Sequence, residues 1–292
     1  FILGNLYDFD PLKDAVKYED LEELDKLALH RLTKLTEKLR QAYEDFEFHA
    51  VYHSVHNSCT ADLSASYLDV VKDRLYTNRA DSKSRRAAQT AMYEILSSLL
   101  RLTAPVLVFT TEEAWGYMPG KKEESVHLAS MPAPKAEWLN AGLEEKWTKL
   151  AVYKTEISKA LEVARQSARI IGHPLDAHVT IHPPEKDMAM LKEEEQALEE
   201  VLIISKFAVS AEAPVEDGDA KIVFKSAEIE GLFVTVSKFN GAKCERCWHY
   251  SDSVGKDHNH PTVCDRCSEA LRSKATLEYS PSQASQSFSS TR

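Results

Sequence analysis

Cys244-Glu-Arg-Cys247-Trp248-His249 is followed, after sixteen residues counted from Cys247, by Cys264-Asp-Arg-Cys267. Two C-x2-C knuckles at this spacing are a strong metal signature, because each supplies two thiolates and the four together close a tetrahedron around Zn2+. A full set of sulfurs leaves no open coordination position, so the expected ion is a single structural zinc. His249, His258 and His260 compete as ligand types in the same stretch, but Cys244, Cys247, Cys264 and Cys267 already complete the coordination. Free thiols or two disulfides are the other reading. It is disfavoured because nothing signals export and disulfides are rare in reducing compartments. The polar span between the pairs is too short to bury a core, so the ion has to replace one. Structural zinc contributes about 10–16 kcal/mol of apparent binding free energy to modules of this kind.

The chain as a whole has the composition of a globular protein, with 43% apolar and 28% charged residues in 292. No apolar run approaches the length needed to span a bilayer. Phe1-Ile-Leu-Gly-Asn-Leu6 lacks the basic flank of a signal peptide. It also lacks an initiating Met, so the chain reads as a piece of something longer. The net charge of −10 argues against indiscriminate nucleic-acid binding. Its distribution is uneven: Lys72, Arg74, Arg79, Lys83, Arg85 and Arg86 form a basic run broken only by Asp73 and Asp81, whereas Glu193-Glu194-Glu195 and Glu199-Glu200 mark an acidic one.

Leu21, Leu24, Ala28, Leu32, Leu35 and Leu39 recur every three or four residues, which predicts a helix over Asp20 to Tyr43. Similar stripes predict helices over Glu44 to Asn57, Leu63 to Tyr76 and Ser82 to Leu102, the last stopped by Pro105. Thr110 or Thr111 is the expected cap of a shorter helix ending near Met118. After a Pro-rich linker, a long helix is predicted over Leu143 to Ser167. The period then changes to two at His178-Val-Thr-Ile-His182, and Ile203 to Ser210, Lys221 to Lys225 and Gly231 to Lys238 are further strand candidates around an acidic helix, Met188 to Leu202. The expected fold is mainly α. An antiparallel helix bundle occupies 1-125; a linker, long helix and small α/β junction unit occupy 126-239. A four-cysteine, zinc ribbon-like module covers 240-275, and a disordered Ser-rich tail covers 276-292.

No Gly-rich phosphate loop and no G-x-S-x-G elbow occurs, which removes the commonest nucleotide and acyl-transfer signatures. Two features point toward a nucleic acid. Arg85 and Arg86 open a helix, where the macrodipole gives cations no reason to be, and guanidinium forks suit phosphate oxygens. Trp248 directly follows a metal knuckle, where it either stacks on an unpaired base or packs on its own module's backbone or on the neighbouring domain.

Several stretches together resemble a known family. Asn5-Leu-Tyr-Asp-Phe-Asp-Pro11, Tyr67-Leu-Asp-Val-Val-Lys-Asp-Arg-Leu-Tyr76, Arg85-Arg-Ala-Ala-Gln89, Ala104-Pro105 and Thr111-Glu-Glu-Ala-Trp115 resemble the helical anticodon-binding domain of class I aminoacyl-tRNA synthetases. Ile171-Gly172, Leu175-Asp-Ala177 and Lys243-Cys-Glu-Arg-Cys-Trp-His249 with the second knuckle resemble the bacterial-type isoleucyl enzymes, rather than the valine, leucine or methionine ones. His173-Pro174 departs from the small polar residues usual after that Ile-Gly.

The resemblance implies the C-terminal, tRNA-binding part of an isoleucine–tRNA ligase, a monomeric cytoplasmic enzyme that uses ATP. No H-I-G-H or K-M-S-K-S motif occurs, so no catalytic residue is expected here. The implied partners are the anticodon stem-loop of tRNA-Ile and the catalytic and editing domains of the same enzyme. Lys72, Arg74, Lys83, Arg85 and Arg86 are then expected to hold backbone phosphates. Trp248, with Arg246 and Arg266, is expected to meet the loop bases or the flanking backbone. A zinc-dependent protein-docking module, or the corresponding part of a related valine, leucine or methionine synthetase, is the alternative reading.

Overall fold

A computed structural model describes residues 1–214 and 221–272. The expected disordered tail, 276-292, lies outside the described residues.

A short helix, α1 (Ile2–Asn5), leads into the bundle. The next, α2 (Glu23–Glu44), buries Leu29, Leu32, Leu35 and Leu39, the stripe that a 3.6-residue repeat gathers on one side. Phe46, in the left-handed region at φ +59°, sits where the chain reverses, and α3 (Phe48–Asn57) runs back along α2. The expected break after Asn57 does not occur. The backbone continues through wide π-helical turns over Ser58–Tyr67 into α4 (Leu68–Thr77). No Gly or Pro lies between Phe48 and Thr77 to stop the helix, and the wider winding still delivers Leu63 and Tyr67 to the core.

The next helix, α5 (Lys83–Thr103), starts at Ser82, whose Oγ accepts a hydrogen bond from the Arg85 amide at 3.2 Å. Lys83 meets Asp20 at one end of the bundle, and the Tyr43 hydroxyl donates to the Leu102 carbonyl at the other. So α2 and α5 run in the same direction, with the α3–α4 rod antiparallel to both. A shorter helix, α6 (Val108–Gly116), starts after Leu107 and not at a threonine. Thr111 lies inside it, its hydroxyl donating back to the Leu107 carbonyl at 2.9 Å.

The long helix α7 (Ala141–Glu162) joins the bundle to a mixed sheet. Asn140 caps it, accepting from the Leu143 amide at 3.0 Å. The second unit consists of β1 (Ala177–His182), α8 (Glu185–Glu193), α9 (Glu195–Leu202), β2 (Lys206–Val209), β3 (Lys221–Lys225) and β4 (Phe233–Lys238). The strands lie in the order β2-β1-β4-β3. The β1–β2 pair is parallel, through the α8–α9 crossover, and the other two pairs are antiparallel. The acidic run is two helices rather than one. Glu194, at the junction, takes the Lys146 ammonium at 2.7 Å. Val179, Ile181, Val234 and Val236 share one buried core with Leu150 and Ile157 of α7, and Leu27 and Val70 of the bundle enter the same core. Among the described residues no helix is long and apolar enough to cross a membrane.

His30 of α2 is clamped between α7 and its cap. Its Nδ1 accepts from the Asn140 amide at 2.9 Å, which leaves Nε2 to donate to Glu144 at 3.0 Å. Bonds from Lys34 and His30 outweigh burial and hold the Glu144 carboxyl down at about 2, against an ordinary 4.5. The folded state therefore favours the charged form. That stabilisation is complete above pH 4.5 and lost as pH falls through about 2. Glu144→Gln is expected to lower the urea midpoint at pH 7, and the gap to wild type should close as pH falls from 4.5 toward 2.

Candidate metal centre and nucleic-acid interface

The zinc-ribbon hairpin is made by β5 (Ala242–Lys243) and β6 (Tyr250–Ser251), and the second knuckle runs into α10 (Asp265–Arg272). Gly241 opens the hairpin where the chain is crowded. A Cβ there would lie 2.6 Å from Phe239 Cε1 and 3.0 Å from the Ser251 carbonyl carbon.

The four sulfurs of Cys244, Cys247, Cys264 and Cys267 are buried, unbridged, and within 4.8 Å of one another. Cys247 Sγ and Cys264 Sγ are 3.8 Å apart. A tetrahedral site with Zn–S bonds of about 2.3 Å requires sulfurs roughly 3.8 Å apart, so the residues present fit zinc. His249, His258 and His260 stand outside the four-atom cluster. The Cys264 amide points at Cys244 Sγ at 3.3 Å, a dipole that favours a thiolate. The neighbouring Cys267 sulfur and burial push the Cys247 thiol well above its ordinary value. A divalent cation supplies the charge that converts such thiols to thiolates and so ties metal uptake to folding.

Trp248 adopts φ +67°, a region costly for a residue with a Cβ. Its amide donates to the Cys244 carbonyl at 2.9 Å, closing the knuckle. The indole is 61% exposed, with the Lys243 ammonium 5.7 Å from the ring centre, while Trp115, Trp138 and Trp147 are all buried. Of the two readings the sequence left open, packing inside its own module is therefore not what the side chain does.

The two arginines of the knuckles reach the bundle. Arg246 donates to the Thr77 carbonyl at the end of α4 and lies 3.7 Å from Cys267 Sγ. Arg266 grips the Asp73 carboxylate with both Nη atoms, one at 2.9 Å. Burial works to raise the Asp73 pKa, but the bonds from Arg266 prevail and it is lowered. On the other side the Tyr250 amide donates to Ser205 Oγ at 2.7 Å, so the module is tied to both larger units.

The basic run separates into two kinds of residue. Arg74 is 7% exposed. It donates to Asp25 at 3.0 and 2.7 Å and to the Ser84 hydroxyl and carbonyl, and it pairs with Glu22. Arg85 is 5% exposed and bonds Asp8 at 2.6 and 3.1 Å and the Leu75 and Ala80 carbonyls. The phosphate role expected for these two needs donors at the surface, whereas theirs are turned inward to carboxylates and carbonyls. Arg86 is mostly covered, donating to the Asp8 carbonyl and Gln89. Lys72 and Lys83 stay at the surface beside Asp69 and Asp20.

The acids that decide these arrangements, Asp8, Asp25 and Asp73, carried no recognisable signal in the sequence. The one hint was that a buried arginine needs a carboxylate, and two of the three lie in stretches quoted above for their resemblance. Removing one partner from a buried ion pair leaves the other uncompensated. Arg74→Ala should therefore cost about 3–5 kcal/mol in denaturant unfolding. Cys264→Ser should bring the metal below one zinc per chain by elemental analysis.

Residues 25–181 match the family described as the anticodon-binding domain of tRNA ligase, and residues 241–270 the zinc finger found in FPG and IleRS. The isoleucine–tRNA ligase of Geobacter sulfurreducens is 45% identical over 273 residues, 93% of this chain and 29% of that protein. That of Desulforamulus reducens is 46% identical over 280 residues, 94% of this chain and 29% of its own length. The chain thus spans less than a third of the curated relatives it matches. A helical unit matched from Asp25 onward, joined to a four-sulfur module of the matching type, makes this chain a member of the tRNA-ligase anticodon-binding family, of the kind carried by bacterial isoleucine–tRNA ligases.

Proposed function

We propose that the chain is the tRNA-binding part of an isoleucine–tRNA ligase and docks the anticodon stem-loop of tRNA-Ile. Attachment of isoleucine with ATP then takes place on catalytic and editing domains elsewhere in the same cytoplasmic, monomeric enzyme. The observation that carries this reading is Trp248. A large indole is displayed to solvent on a strained backbone beside a lysine, while the other three indoles are buried. Strain of that kind is kept where the surrounding structure over-determines it.

Single-stranded loops are read by splaying bases and stacking them on aromatic rings, about 1–3 kcal/mol per base. Trp248 supplies the ring, and Lys243 adds charge at its side. Lys72 and Lys83 are the cations of the basic run best placed for phosphate, since their ammonium groups remain at the surface. Arg86, Arg246 and Arg266 serve chiefly to hold the surfaces that the RNA meets. Docking of the module is part of this reading, because the module is already bound to α4 through Arg246 and Arg266. Correct seating of the anticodon end places the acceptor end for reaction, and placement is what such distant contacts contribute to rate.

Trp248→Ala is expected to weaken binding of tRNA-Ile about five- to a hundredfold in gel shifts while zinc content stays at one per chain. Equal affinity for the variant would reject the stacking role. Lys72→Ala with Lys83→Ala should reduce the salt slope of log K by about 2 if both touch phosphate.

A further inference from the structure

The zinc module meets the bundle through two arginines, each within a cysteine knuckle. Arg246 lies between Cys244 and Cys247, and Arg266 between Cys264 and Cys267. Both land on the last turn and a half of α4: Arg266 on Asp73, Arg246 on the Thr77 carbonyl. The Thr77 carbonyl belongs to the carbonyl-rich, electronegative end of the helix, which attracts a cation. Asp73 is a bidentate acceptor for a planar guanidinium, a geometry that fixes angle as well as distance. The Thr77 hydroxyl donates to the Asp73 main-chain carbonyl at 2.7 Å and lies 3.1 Å from Asp73 Oδ1.

We infer that Asp73 is a positioning residue: by gripping Arg266 it sets the angle at which the zinc module stands on the bundle, and with it the place of Trp248. One turn of chain separates the two contacts on α4, and with the Tyr250–Ser205 bond as a third tie the module cannot pivot about the line that joins them. The Lys243 ammonium beside the Trp248 ring belongs to the same module and moves with it. The ring is exposed and its position follows from the knuckle backbone. The consequence for RNA rests on the reading above; the positioning itself does not.

The experiment is a double-mutant cycle on the zinc-loaded chain, using Asp73→Asn, Arg266→Gln and the pair together. Energy transfer from Trp248 to a dye on Cys59 of the bundle, the one cysteine outside the four-sulfur site, reads where the indole stands, with Trp248→Phe subtracting the buried indoles. Zinc content and the thermal midpoint are measured in parallel. Each single variant is expected to change the transfer efficiency at one zinc per chain, and the double variant to match the singles rather than sum them. Asp73→Glu, which keeps the charge, should restore most of the wild-type value. Affinity for tRNA-Ile should fall about tenfold in each single variant and no further in the double, as expected for two residues acting as one contact. Unchanged transfer in both singles, or effects that add in the double, would overturn the inference even if the thermal midpoint moves. A coupled change in transfer in a chain that binds no tRNA would support the positioning role and defeat the RNA reading instead.

Discussion

The buried pair between Arg74 and Asp25 is the constraint on which the arrangement turns. A guanidinium that is almost wholly removed from water can persist only with its donors satisfied, and here they are met by the Asp25 carboxylate of α2 and the start of α5. Tyr67 adds a hydroxyl donated to the same carboxylate at 2.7 Å. These bonds fix the C-terminal end of α4 against two other helices. The neighbouring residue, Asp73, points out of the bundle and receives the zinc module. One helical turn thus serves the interior with one side chain and the next unit with the other, because successive residues on a helix lie about 100° apart.

The second pair, Arg85 with Asp8, does for the N-terminal segment what Arg74 does for α4. Gln89 extends it, donating to the Asn5 carbonyl and to Asp8, both at 2.8 Å. Half of the basic run, Arg74, Arg85 and Arg86, is therefore made of interior ties. The surface it leaves for an anionic partner consists of Lys72, Lys83 and Arg79, which lose side-chain freedom on binding but need no exchange of a buried partner. This division agrees with the overall negative charge: positive charge is confined to a few places at the surface and not spread over the chain.

The zinc module is small enough that its interior is the metal site. Cys244, Cys247, Cys264 and Cys267, with Val263, make up its buried cluster. An apolar core of that size cannot offset the entropy of ordering the hairpin and loops, and metal binding takes its place. A side chain such as Trp248 has no core to enter and remains outside. That makes it available to a partner while the knuckle backbone holds it still.

Much of this was readable from the residues alone. Local signals are determined by neighbours in sequence: the C-x2-C spacing, the leucine stripe of α2, the change of period at Val179 and the helix start near Ser82 all appear in the structure. The merging of α3 and α4 was not readable, because the absence of a breaker is a weaker signal than a change of stripe, and π-helical turns absorbed the mismatch. Nor were the partners of the arginines. A run of cations looks the same whether its charges face water or distant carboxylates, and Asp8, Asp25 and Asp73 are brought to Arg85, Arg74 and Arg266 only by the folded chain. The sequence alone determined the metal site and the helical repeat, since both depend on residues a few positions apart. Which arginines are interior and which tryptophan is free was decided only in three dimensions, because burial and charge pairing depend on groups separated by as many as 193 residues along the chain.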